Sequence, residues 1–242
     1  MGGALVNGLA LWQGRAMRLV LSLLVLLCAP LSALAEPTFF PARDGNADAP
    51  VLVVYSSLDE PLARPMIKGF QAANPDVAVR YDEMLTGEVH DRIVRETDAG
   101  QKTADFAFSS AMDLQVKLSN DGYAQRSDLP MSERWPSWAN WRNTAYALTF
   151  EPAVFVYHKP SFKDGKPPAS RAEFIDYLKR QGEKVYGRIG TYDIERSGVG
   201  FLFMARDQEQ FGDIWTVIQA MGAAGVKLYS TSSAILERVA DG

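Results

Sequence analysis

Across 242 residues, 47% hydrophobic and 22% charged side chains make an ordinary globular mixture, which excludes a disordered chain and allows one large domain or two smaller lobes. Arg15 and Arg18 are the only charged side chains before residue 36, so the remainder has 29 acids against 23 bases, a net charge of −6. Without a cluster of Lys and Arg, that balance argues against nucleic acid as a partner, because phosphate backbones call for grouped cations.

The N-terminus has the form of a secretory signal over residues 1–35, with Met17 as an alternative start. Arg18 precedes the apolar run Leu19 to Leu27, and Ser32-Ala33-Leu34-Ala35 supplies an Ala-x-Ala end. The run is shorter than the roughly 20 apolar residues that span a bilayer. Cys28, the single cysteine, lies inside it and is expected to leave with the signal. Lipid attachment at Cys28 is disfavoured by the bulky Leu27 before it. The mature chain then has no disulfide, thiolate metal site or cysteine nucleophile.

Residues 36–50, rich in Pro, Asp, Ala and Gly, read as a flexible leader. Val51 to Tyr55 is a continuous apolar run, as in a buried parallel strand. Leu62, Met66, Ile67 and Phe70 follow at helical spacing, with Pro65 expected to kink the helix and Asn74-Pro75 to close it. Val77 to Tyr81 reads as a second strand, and Thr86-Gly87-Glu88 opens a second helix that ends before Gly100. Asp105 to Phe108 is a third strand, Ser110 to Asp113 has the form of a capping box, and Gly122 follows that helix. Strand and helix alternate, so the class is α/β with a largely parallel sheet.

Trp135, Trp138 and Trp141 recur every third residue, either as a stacking platform or as aromatics packed under a loop. Ala145 to Tyr157 is β-rich, interrupted at Glu151-Pro152, and suits a crossing between lobes. Beyond it, Ala172 to Arg180 reads as a helix, Arg188 to Tyr192 as a strand and Ser197-Gly198 as the opening of another helix. Asp213 to Met221 is helical, Lys227 to Tyr229 is a strand, and Ser232 or Ser233 caps a last helix.

The candidate site rests on a recurring hydroxyl at strand-to-helix junctions: Ser56-Ser57, Thr86-Gly87, Ser109-Ser110 and Ser197-Gly198. Open α/β sheets bind ligands outside the carboxyl ends of their strands, where helix N-termini favour anions. The same residues are also the preferred helix caps anywhere. Catalytic patterns are thin. His90 and His158 have no partner at metal-ligand spacing, there is no nucleophile elbow or phosphate-binding loop, and adjacent Asp82 and Glu83 point to opposite faces of a strand. No metal or cofactor is expected.

At Val53-Val-Tyr-Ser-Ser57, Pro65 and Phe70 to Pro75, Thr86-Gly-Glu88, Ala104 to Ser110, Asp121-Gly-Tyr123, Gly187 to Asp193 and Ser197-Gly198, the chain resembles a known family. It is similar to the extracellular solute-binding proteins of ABC importers, in the iron(III)/polyamine/phosphonate-like group with the type 2 periplasmic binding fold. The resemblance implies two α/β lobes, residues 51–150 and 151–242, with parallel-rich sheets, a cleft between them and closure around solute. It implies solute contacts at Ser56, Ser57, Thr86, Ser109 and Ser110 from the first lobe, and at Ser197 and Gly198 from the second. It also implies a return of the chain to the first lobe, which this sequence does not reach, and places the tyrosine pair of ferric members beyond residue 242.

The expected function is periplasmic binding of a small anionic solute, a phosphorylated or carboxylated metabolite or a ferric complex, by a monomer that hands it to a membrane permease. The alternatives are a ligand-sensing partner of a membrane sensor kinase and, without a nucleophile–base set to support it, a secreted enzyme.

Overall fold

The computed structural model describes residues 36–128, 136–162 and 165–242; the signal, Cys28 and Trp135 lie outside them. A four-stranded sheet of order β1-β3-β2-β4 organises the first half. Its strands are β1 (Thr38–Phe40), β2 (Val51–Ser56), β3 (Ala78–Glu83) and β4 (Phe106–Phe108). β2 is central and runs parallel to both β3 and β4, while β1 pairs antiparallel with β3. The connecting helices are α1 (Glu60–Ala73), α2 (Thr86–Asp98) and α3 (Met112–Asn120).

Side chains alternate across this sheet. Val54, Val79 and Tyr81 pack with Phe40, Ala63 and Ile67 under α1. Tyr55 points the other way and packs with Val89, Ile93 and Leu118 from α2 and α3. Helices cover both faces, which is why β2 reads as a continuous apolar run.

The expected flexible leader is in part a strand. β1 lies along β3, with Phe40 opposite Val79, and Phe40 and Ala42 are buried. Gln71, buried on α1, donates from Nε2 to the carbonyls of Phe40, Pro41 and Val77 at 3.3, 2.9 and 3.1 Å. One amide thus fastens this edge to the helix, a link that composition does not reveal.

α1 also departs from its expected face. Ala63, Ile67 and Gln71 are its buried residues, whereas Leu62 and Met66 are exposed. Pro65 stands within the helix on the exposed side, where water can serve the carbonyl that its missing N–H leaves free.

The hairpin of β5 (Asn140–Trp141) and β6 (Ala145–Tyr146) turns through Arg142 and Asn143, both at φ 56°, the backbone of a type I′ turn. Trp141 donates from Nε1 to Asn120 Oδ1 at 2.9 Å, and Trp138 is exposed. The long strand expected through Tyr157 is present only as β6. Residues 147–158 have no regular structure and gain no ladder partner, and Phe150 and Val154 to Tyr157 are exposed.

The second half contains α4 (Arg171–Gln181), β7 (Gly190–Tyr192), α5 (Gly198–Gln210), α6 (Ile214–Ala223), β8 (Lys227–Tyr229) and α7 (Ser232–Asp241). β7 and β8 are parallel. Ile175, Ile214 and Val217 join α4 to α6, and Leu178, Val185 and Ala224 extend that core. Thr231, rather than Ser232 or Ser233, caps α7, its hydroxyl accepting from the Ala234 N–H. Among the described residues, no helix is long and apolar enough to cross a membrane.

A charged network backs β3. Asp82, 3% exposed, accepts from Arg80 and from Arg92 Nη1 at 2.9 Å. Arg92 also donates to Glu96 at 2.8 Å and lies 4.2 Å over the Tyr55 ring, while the Tyr55 hydroxyl donates to Glu96 at 2.9 Å. Burial favours protonation of Glu96, but the hydrogen bonds, led by that from Arg92, win and hold its carboxyl below the usual range.

Two expectations follow. Gln71→Leu removes the donor from three carbonyls, two of them partly enclosed, and should cost about 1–3 kcal/mol in urea unfolding; an unchanged midpoint would show that β1 is held without it. Burial first, and then the hydrogen bond to Glu96, pushes the Tyr55 hydroxyl from 10.0 up to about 12; burial likewise takes Tyr81 to about 12. A raised folded value means that the stability each contributes is fully present below pH 10 and is lost as pH rises toward 12. Tyrosinate absorbance during alkaline titration checks this: Tyr55→Phe and Tyr81→Phe should each remove part of the latest step.

Candidate functional site

The carboxyl ends of β2, β3 and β4 meet at one edge because all three strands run the same way. The β2–β4 pairing continues one residue past β2, where the Ser57 N–H donates to the Phe108 carbonyl at 3.1 Å. That bond sets Ser57 beside Ser109. Their hydroxyl oxygens lie 3.4 Å apart. The Ser110 N–H donates to Ser57 Oγ at 3.3 Å, and the Ala111 N–H donates to Ser109 Oγ at 3.3 Å. Ser57, Ser109 and Ser110 are half-buried, so this trio keeps access to solvent. Ala111, and not Ser110, is the N-cap of α3, and no side chain caps it. The expected capping box is absent, and the Ser110 hydroxyl is not committed to the helix.

Ser56 is fully buried, and its Oγ accepts from the Leu58 N–H at 3.1 Å, so its side chain supports the turn. Ser197 is 1% exposed, and its Oγ caps α5 by accepting from the Gly200 N–H at 3.2 Å. Its hydroxyl is thus engaged as a helix cap.

Thr86 is the first residue of α2, but its hydroxyl serves another helix: Oγ1 accepts from the Val199 N–H of α5 at 3.3 Å. Leu85 is the N-cap of α2, and Glu88 reaches back to accept from its N–H at 2.8 Å. Gly198 lies against this point. A Cβ there would stand 2.9 Å from Thr86 Oγ1, 3.2 Å from Leu114 Cδ1 and 3.5 Å from the Gly87 nitrogen. Thr86, Gly87 and Gly198 therefore form a helix-to-helix junction separate in its bonding from the serine trio.

Two acids to which the sequence reading gave no role stand at the same edge. Glu83 accepts from the Glu60 N–H at 2.8 Å, so a carboxylate of the protein itself occupies the start of α1. Period-two alternation from Val79 and Tyr81 carries this signal, since it puts Glu83 on the α1 face. Asp59, the N-cap of α1, accepts from the Ser233 hydroxyl at the start of α7.

The remaining candidates have ordinary partners. His90 Nδ1 lies 2.9 Å from Asp91, and His158 Nδ1 lies 3.0 Å from Ser161 Oγ. Among the described residues, no three His, Cys, Asp or Glu side chains group as metal ligands. A cavity of about 380 Å3 lies in the second half, between residues 155–162, α4, β7, β8 and α7, and none of the eight candidate residues lines it.

A solved structure described as the substrate binding protein of the ABC transporter from Agrobacterium tumefaciens is similar to this chain: 80% sequence identity, a TM-score of 0.84, and coverage of 86% of this chain. This chain spans 61% of the length of that one. Among curated proteins none matches. The family model of the bacterial extracellular solute-binding protein matches residues 49–233. With that match over most of its length, and with the α/β fold of a periplasmic binding protein, the chain belongs to the bacterial extracellular solute-binding proteins.

Proposed function

We propose that this protein binds a small anionic solute in the periplasm and delivers it to the permease of an ABC importer, without chemical conversion. The carrying observation is the serine trio. Two hydroxyls 3.4 Å apart, with the Ser110 amide 3.3 Å from one of them, stand at the carboxyl edge of a parallel sheet, half-buried and ahead of a helix without a side-chain cap. Hydroxyls and helix-terminal amides can surround a phosphate or carboxylate without a buried cation. Glu83 at the start of α1 restricts the anion seat to the β2–β4 side, where, among the described residues, no carboxylate is hydrogen-bonded to the trio. The family membership and the likeness to the substrate binding protein of the ABC transporter from Agrobacterium tumefaciens support the transport reading over a sensor or a secreted enzyme. The two halves are the two lobes in this reading, and the segment before residue 36 is the export signal.

Mass spectrometry of solute released from freshly purified full-length protein should identify one anionic metabolite. Calorimetry with that solute then tests the seat. Ser57→Ala and Ser109→Ala should each weaken binding about tenfold or more, because a hydrogen bond to a charged acceptor contributes roughly 1.5–3 kcal/mol. Ser56→Ala should leave the Kd unchanged. A neutral or cationic solute, or equal effects at Ser56 and Ser57, would refute the seat.

A further inference from the structure

We infer that Thr86 is a positioning residue, one that pins the start of α5 over the carboxyl edge of the first sheet without touching the solute; this rests on the solute-binding reading of that edge. Its hydroxyl already has a protein donor, the Val199 N–H at 3.3 Å, from a residue 113 positions later in the chain. The junction is closed to water: Thr86, Ser197 and Val199 are 6%, 1% and 8% exposed. A buried amide that loses its acceptor is costly, so the bond holds the two helices in one arrangement. Gly198 makes the approach possible, because any Cβ there would meet Thr86 Oγ1 at 2.9 Å and Leu114 Cδ1 at 3.2 Å.

A second tie lies between the same halves. The Ser233 hydroxyl of α7 donates to the Asp59 carboxylate at the start of α1. Two helix starts of the second half are thus fastened to two helix starts of the first, α5 to α2 and α7 to α1. The serines that cap α5 and line the seat have separate tasks: Ser197 shapes its own helix through the Gly200 N–H, and the Ser57 and Ser109 hydroxyls stay at the edge. Among the described residues, Thr86 is the one hydroxyl candidate whose bond crosses from one half to the other.

Amide hydrogen exchange on the full-length protein reads this bond directly. In Thr86→Val, which keeps the volume and removes the acceptor, exchange at Val199 should rise about tenfold. Gly198→Ala should do the same by wedging the helices apart, and Thr86→Ser should restore protection. Exchange at Gly200, held by Ser197, should not move in Thr86→Val, and a far-UV spectrum checks that each variant is folded. Inorganic phosphate serves as the binding probe. Weaker phosphate binding in both Thr86→Val and Gly198→Ala supports positioning, since the glycine has no side chain to offer a solute. Unchanged Val199 exchange in both variants overturns the inference, as does a Val199 amide that is unprotected in the unaltered protein. Absence of phosphate binding in the unaltered protein counts against the anion reading, while the exchange result still decides the role of Thr86.

Discussion

The parallel pairing of β2 with a neighbour on each side is the constraint on which the rest depends. Parallel strands need a crossover to return the chain, and each crossover here is a helix that leaves from the same edge. The starts of α1, α2 and α3 are therefore gathered by topology, before any side chain acts. One hydrogen bond beyond the regular ladder, from Ser57 to Phe108, then fixes which hydroxyls become neighbours. A one-residue slip in that register would turn Ser57 to the other face and bring Ser56 forward.

The repeating strand–helix pattern was legible because it rests on local rules. Apolar runs, helix-ending Gly100 and Gly122 at φ 66° and 89°, and the Asn74 stop all act within a few residues. What was not legible depends on partners distant in sequence. β1 pairs with β3, about 40 residues away, and Gln71, 31 residues from Phe40, donates to its carbonyl. Leu62 and Met66 have the spacing of a buried stripe, yet Ala63 and Ile67 take the core. Spacing fixes that a stripe exists, and only packing decides which of two neighbouring stripes faces the sheet.

The site divides in the same way. The sequence marked eight residues by one rule, a hydroxyl or glycine where a strand gives way to a helix. Three-dimensional bonding sorts them into unlike roles. Ser56 supports a turn, Ser197 caps a helix, Thr86 joins two helices, and the trio of Ser57, Ser109 and Ser110 keeps solvent access. The rule has no means of separating these, because capping and solute binding call on the same donors and acceptors.

Charge at this edge is arranged to restrict rather than simply to attract. A helix start draws any anion, and at α1 the protein supplies its own through Glu83. At α2, Glu88 bends back onto Leu85 and does the same. α3 begins beside the serines without a side-chain cap hydrogen bond, and it too carries an acid in its first turn, Asp113. The starts of α1 and α2 are thus occupied by carboxylates of the chain itself, which repel an anion that approaches them. On the proposed reading, the β2–β4 side is then where a small anion meets open donors, and that reading calls for hydroxyls and amides rather than a cationic pocket.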